Sequence, residues 1–99
     1  MARVELALAA VEDLDSLIRT HSLPADTRSR VARSLRALER FPLMGPALSG
    51  RWEGFRFVLG PWRWLLLVYV FIEAEDRLVV VTVQDARSST AATTTRGGS

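Results

Sequence analysis

The chain has 99 residues, 48% of them apolar, and a formal net charge of +2, which makes one domain with a modest core, too short for two and too apolar for wholesale disorder. Cysteine is absent and histidine occurs once, as His21, which excludes a disulfide framework, a thiolate metal site, a cysteine nucleophile and a histidine-based metal cluster. No apolar run reaches the roughly 18 residues that a bilayer-spanning helix needs, and the N-terminal residues lack the signal-peptide pattern, so the sequence reads as soluble and cytoplasmic.

The first segment alternates: Val4, Leu6 and Leu8 are apolar, with Arg3 and Glu5 interleaved, and period two predicts a short half-buried strand. From about Ala9 to His21, Val11, Leu14, Leu17, Ile18 and His21 recur at the spacing of one helical face, which predicts an amphipathic helix with His21 on its packing stripe. Leu23-Pro24 ends it. A second helix is expected from about Ala25 to Arg40, with Val31, Leu35 and Leu38 buried and Arg33, Arg36 and Arg40 on the opposite face. Phe41-Pro42 stops that helix, because the residue before proline avoids helical angles. The short link between the two makes them an antiparallel hairpin.

Residues 42–50 carry four turn formers and read as a loop. Phe55, Phe57 and Leu59 then alternate as a strand, Gly60-Pro61 turns the chain, and Trp62 to Ile72 is apolar throughout except Arg63. That run is rich in β-branched and aromatic residues and predicts a central strand. Glu73-Ala74-Glu75-Asp76 forms a polar turn, and Leu78 to Val83 is the last strand. Ser88 to Ser99 holds no large apolar residue and reads as a disordered polar tail beyond a single domain of residues 1–87. The order β-α-α-β-β-β is that of an α+β domain, a helical hairpin packed on a small, mainly antiparallel sheet, with the other sheet face partly open.

All 13 cations are arginines, and a guanidinium keeps its charge and presents a planar fork that matches phosphate. Phosphate loops of the Walker type and His–carboxylate pairs at metal spacing are missing from the sequence, so neither a metal nor another cofactor is implied. Arg56 and Arg63 interrupt apolar runs, and a strand charge is expected on the open face because burial without a partner costs several kcal/mol. With Arg51 and Arg87 they make a set that converges into an anion site suited to nucleic-acid phosphates, or that pairs structurally, Arg63 or Arg87 with Asp85 or Glu53. Trp52, Trp62 and Trp64 flank the region, available for base stacking or for cross-strand packing.

The order of elements and several motifs together resemble the RelE/ParE superfamily of bacterial toxins from type II toxin–antitoxin systems. The resemblance covers residues 3 to about 87 and rests on Leu38-Glu39-Arg40-Phe41-Pro42 followed by Gly45 and Leu48-Ser49-Gly50, then Gly60-Pro61-Trp62-Arg63, then Val79 to Arg87. It implies a compact toxin neutralised by a cognate antitoxin. In the RelE branch it implies a ribosome-dependent endoribonuclease that cleaves mRNA. Arg56 matches a catalytic basic residue, Arg63 matches the arginine at the scissile phosphate, and Arg87 lies near the arginine proposed as general acid. Arg51 and Trp62 are then expected to touch RNA, and Arg33, Arg36 and Arg40 to meet the carboxylates of an antitoxin segment that folds on binding. Val58 stands where RelE-type toxins often carry a second basic residue, and Ser88-Ser89-Thr90 where they often carry tyrosine or histidine. These departures resemble the ParE branch, whose members inhibit DNA gyrase; a non-toxic protein-binding module is the third reading.

Overall fold

The computed structural model describes residues 1–88 and 91–93. Strand β1 spans Arg3–Leu6, helix α1 Leu8–Thr20, helix α2 Thr27–Leu35, and a further helical turn, α3, Ala37–Arg40. Strands β2 (Arg56–Leu59), β3 (Leu65–Ile72) and β4 (Arg77–Asp85) complete the fold. The sheet order is β1-β4-β3-β2. The β2–β3 and β3–β4 pairs are antiparallel, while β1 returns parallel to β4, Arg3 opposite Arg77. This is the expected α+β architecture. Among the described residues no helix is long and apolar enough to cross a membrane.

Strand β3 explains why its sequence shows no alternation. Leu65, Leu67 and Tyr69 face the helices and join Leu14, Val31 and Leu38 in the main core. Leu66 and Val68 point the other way into a second, smaller cluster with Phe55, Phe57 and Ala91. A strand buried on both faces must be apolar at every position. On the second face the segment from Leu48 to Phe57 and residues 91–92 pack over Leu66 and Val68, while Val70 and Val81 stay half-buried. The expected polar tail lies largely outside the described residues. Of the part that is described, Ala91 is buried and the Ala92 N–H donates to the Gln84 side-chain oxygen at 2.7 Å.

The second helix is shorter than its periodicity predicts. It breaks at Arg36, where the backbone N–H bonds three residues back to the Arg33 carbonyl and tightens the turn before α3. Strand β3 starts at Leu65, so Arg63 lies in the preceding turn and not within the strand.

A β-bulge interrupts the β3–β4 ladder. Val68 pairs with Thr82 but Tyr69 with Val80, which leaves Val81 without an opposite number. One extra residue inverts which face each later side chain takes. Leu78 and Val80 face the helices before the bulge, and Val83 after it. The Asp13 carboxylate of α1 spans the irregularity, accepting from the Thr82 hydroxyl at 2.6 Å and from the Val83 N–H at 3.2 Å. Asp85, paired with Leu65, thereby turns to the helix side.

Candidate functional site

The C-terminal end of α1, the turn before β3 and the end of β4 meet at one edge of the molecule. The Ala86 N–H donates to the Trp64 carbonyl at 2.7 Å, carrying the β3–β4 pairing past the last ladder residues. His21 caps α1, and its ring stacks on Trp64, centroids 5.1 Å apart and planes inclined by 14°. Trp64 stacks in turn on Trp62 at 5.9 Å. The Arg87 guanidinium lies 4.7 Å from the Trp64 ring centre and the Arg30 guanidinium 5.8 Å from that of Trp62, both within cation–π range. Three aromatic rings and two guanidinium groups from α1, α2, the turn and the end of β4 thus form one continuous column.

Asp85 anchors this column. One carboxylate accepts from Arg87 Nε and the Arg87 backbone N–H, each at 2.9 Å, from Arg87 NH2 at 2.9 Å, and from His21 Nε2 at 3.1 Å. The bidentate Arg87 contact, aided by the backbone N–H and His21, holds the Asp85 carboxyl far below the ordinary carboxylate range against the opposing effect of its burial. An ionised carboxylate only accepts, so the His21 ring donates from Nε2. Its Nδ1 is left as the acceptor, 2.9 Å from the Thr20 hydroxyl. The bulge is what makes the contact possible, since without it Asp85 would face away from α1.

The arginines expected to converge do so only in part. Arg63 is exposed in the turn and makes no ion pair or hydrogen bond among the described residues. It stands beside Trp62 and Trp64, at the edge where Arg87 sits. Arg87 forms the ion pair with Asp85 that sequence reasoning offered as one alternative. Arg56 is elsewhere: it pairs with Tyr69, four residues along β3 from Leu65, or about 13 Å at the usual strand rise. Sharing Tyr69's side of the sheet, it also departs from the expected placement on the opposite face. Its guanidinium donates to the Gly45 carbonyl at 2.7 Å and the Leu43 carbonyl at 3.2 Å. Arg51 is exposed in the 3₁₀ turn Gly50–Trp52, near the second sheet face.

The loop that Arg56 grips is fixed from below by Tyr69. This fully buried side chain donates its hydroxyl proton to the Pro42 carbonyl at 2.8 Å and accepts from the Gly45 N–H at 3.1 Å. Burial raises the phenol's pKa, opposed by the Gly45 hydrogen bond and the nearby Arg56 charge. Gly45 is required there, because a Cβ would stand 2.2 Å from the Phe57 carbonyl oxygen. So held, the loop presents Phe41, Leu43 and Met44 to solvent.

Arg33, Arg36 and Arg40 are exposed as expected. Arg33 lines a cleft of about 420 Å³ with Asp26, Arg30, Ser34 and Pro61, next to the aromatic column. Arg36 borders a depression floored by Val4, Leu6 and Leu35. That depression continues into an apolar groove among Leu6, Val11, Leu14 and Val31, with Arg28 on its rim; Arg28 is ion-paired to Asp15. Sequence reasoning missed His21, Trp64, Asp85 and Arg30 as members of one constellation. Parts of it were signalled, the Arg87–Asp85 pairing and Trp64 beside the arginines, but nothing in the sequence joined His21 or Arg30 to them.

No family model matches the sequence, and no curated protein matches it. Solved structures do. A chain of the toxin–antitoxin complex RelBE2 from Mycobacterium tuberculosis superposes with a TM-score of 0.65 at 22% identity, over 85% of this chain and 96% of that one. The intact E. coli RelBE toxin–antitoxin complex gives 0.63 at 16% identity, over 89% and 100%. The isolated E. coli RelE toxin gives 0.63 at 14% identity, over 91% and 89%. The chain has the fold of RelE-type toxins.

Proposed function

We propose that this protein is the toxin of a toxin–antitoxin pair and that it arrests translation in the cytoplasm by cleaving mRNA on the ribosome. The observation that carries the reading is the arginine–tryptophan edge on a RelE-type fold. Arg63, unpaired among the described residues, Arg87 lying on Trp64, and the Arg30–Arg33 cleft beside Trp62 combine phosphate-binding forks with flat aromatic surfaces, the combination that single-stranded RNA requires. Cleavage proceeds by attack of the 2′-hydroxyl on the adjacent phosphorus. Arg63 and Arg87 stabilise the charge that develops on the phosphoryl oxygens. Arg56 lies outside this edge, where it fixes the 42–45 loop.

A cognate antitoxin is the proposed protein partner. The apolar groove among Leu6, Val11, Leu14 and Val31, continuous with the depression that Arg36 and Glu39 border, supports this, since its floor suits the apolar face of a segment that folds on binding. A second reading, inhibition of DNA gyrase without nuclease activity, draws support from one feature: the Arg56 guanidinium is occupied by loop carbonyls about four residues of strand away from Arg63 and Arg87. Primer extension on a defined mRNA in a cell-free translation reaction separates the two. Discrete cuts that need both ribosomes and the protein are expected. Intact mRNA with undiminished protein synthesis rejects the nuclease and transfers attention to a gyrase supercoiling assay.

A further inference from the structure

The arginines of this edge can stabilise charge, but none can accept a proton, because a guanidinium stays protonated in proteins. A 2′-hydroxyl attack needs an acceptor, and the sequence contains no lysine. The structure brings a different candidate into place. His21 Nε2 is held by Asp85 at 3.1 Å, and the same carboxylate oxygen accepts from Arg87 at 2.9 Å. The imidazole therefore stands next to Arg87 through a shared carboxylate, its plane set by stacking on Trp64. This reproduces the logic of a base oriented by a third group: a carboxylate fixes one ring nitrogen and leaves the other to take a proton.

We propose that His21 is the general base of the cleavage reaction, with Asp85 as its positioning residue; the assignment rests on the nuclease reading above. Nδ1 is the accepting atom. The groups that face the ring are the Asp85 carboxylate and Arg87 guanidinium from the end of β4, the Thr20 hydroxyl from α1 and the uncharged Trp64 from the turn. Thr20 is exposed, so a substrate hydroxyl can replace its hydroxyl at Nδ1 with no buried group disturbed. In the step itself the 2′-hydroxyl proton passes to Nδ1 and the 2′-oxygen forms its bond to phosphorus. The bond from phosphorus to the 5′-oxygen breaks with its electron pair on that oxygen, which takes a proton from water. The imidazolium returns its proton to solvent, leaving a 2′,3′-cyclic phosphate and a 5′-hydroxyl. Imidazole suits the task because its ordinary titration range lies nearest neutral pH.

The test is single-turnover cleavage of a defined mRNA on programmed ribosomes, followed from about pH 5 to pH 8, the interval in which histidine changes charge. It compares the wild-type protein with His21→Gln, His21→Ala and Asp85→Asn. The expected results are a loss of about 100-fold or more in rate for His21→Gln, the usual scale of general-base catalysis, and flattening of the wild-type rise of rate with pH. Added imidazole restores part of the rate to His21→Ala, a readout that loss of ring stacking alone does not produce. Asp85→Asn is expected to shift the pH profile as well as lower the rate. A His21→Gln protein that cleaves at the wild-type rate with the wild-type pH profile overturns the base assignment while leaving the nuclease reading intact. A wild-type protein that cuts no mRNA across the whole pH range overturns both.

Discussion

Replacing Tyr69 by phenylalanine removes one oxygen and nothing else, which makes it a sharp probe of how the 42–45 loop is held. The hydroxyl accepts from the Gly45 N–H at 3.1 Å and donates to the Pro42 carbonyl at 2.8 Å. Both Tyr69 and Gly45 are buried, so water has no ready route to take over. A buried donor left without an acceptor costs about 1–3 kcal/mol, and the lost bond to Pro42 about 1 kcal/mol more. The expected destabilisation is therefore about 2–4 kcal/mol, read in urea as a lowered midpoint at constant slope. For a domain of this size that corresponds to a fall in Tm of about 10–30 °C. The same oxygen sets the alkaline limit of the fold. The buried phenol is raised above its ordinary value of 10.0, so between that value and its own the unfolded chain has already lost a proton that the folded chain retains. Stability is then complete below about pH 10 and declines as pH rises further, a limb that Tyr69→Phe should lack. A change of under about 0.5 kcal/mol, the scatter expected of an inconsequential substitution, would refute the view that this hydroxyl closes the loop.

Other outcomes follow from the same geometry. Gly45→Ala forces a methyl group to within 2.2 Å of the Phe57 carbonyl oxygen and should cost about 3 kcal/mol in a urea titration, the upper end of overpacking penalties. Asp85→Asn should lower Tm at neutral pH, but wild type and variant should converge in acid. The carboxyl is held below its ordinary 3.8, so its contribution is complete above that value and lost as pH falls below it. Arg63→Ala should leave Tm unchanged, since the side chain is exposed and unpaired among the described residues, while abolishing growth arrest on expression without a partner. Arg56→Gln should cost about 1 kcal/mol of stability through its two carbonyl contacts, with cleavage per folded molecule close to wild type.

Elements whose residues pack against one layer were legible from periodicity. Helix α1 begins and ends within one residue of its expected limits because its apolar stripe faces a single sheet. The central strand was found by its unbroken apolar run, although its start was placed three residues early. Trp62 and Trp64 are apolar for stacking on each other and on His21, and not for ladder pairing. The candidate site was harder to read. Arg63, Arg87 and Trp62 were identified from residue type, but Arg56 was grouped with them because nothing in one strand's sequence tells how far along the sheet a charge lies. The His21–Asp85 contact was invisible for a definite reason. Simple alternation from Leu78 and Val80 puts Asp85 on the wrong face, and only the bulge at Val81, which carries no glycine or other local signal, corrects the parity.

The parallel return of β1 to β4 has a consequence for when the protein becomes active during its own synthesis. Arg3 pairs with Arg77, and His21 meets Asp85 across a sequence separation of 64 residues. The first contact needs the start of β4 and the second its last residue, so neither can form while the chain is still short of that strand. Closing loops of that length has an entropic cost that only the finished sheet repays. At synthesis rates of roughly 5–20 residues per second, the nascent chain spends several seconds as a helical hairpin with no assembled arginine–tryptophan edge. The edge that carries the candidate site is thus among the last parts of the protein to assemble.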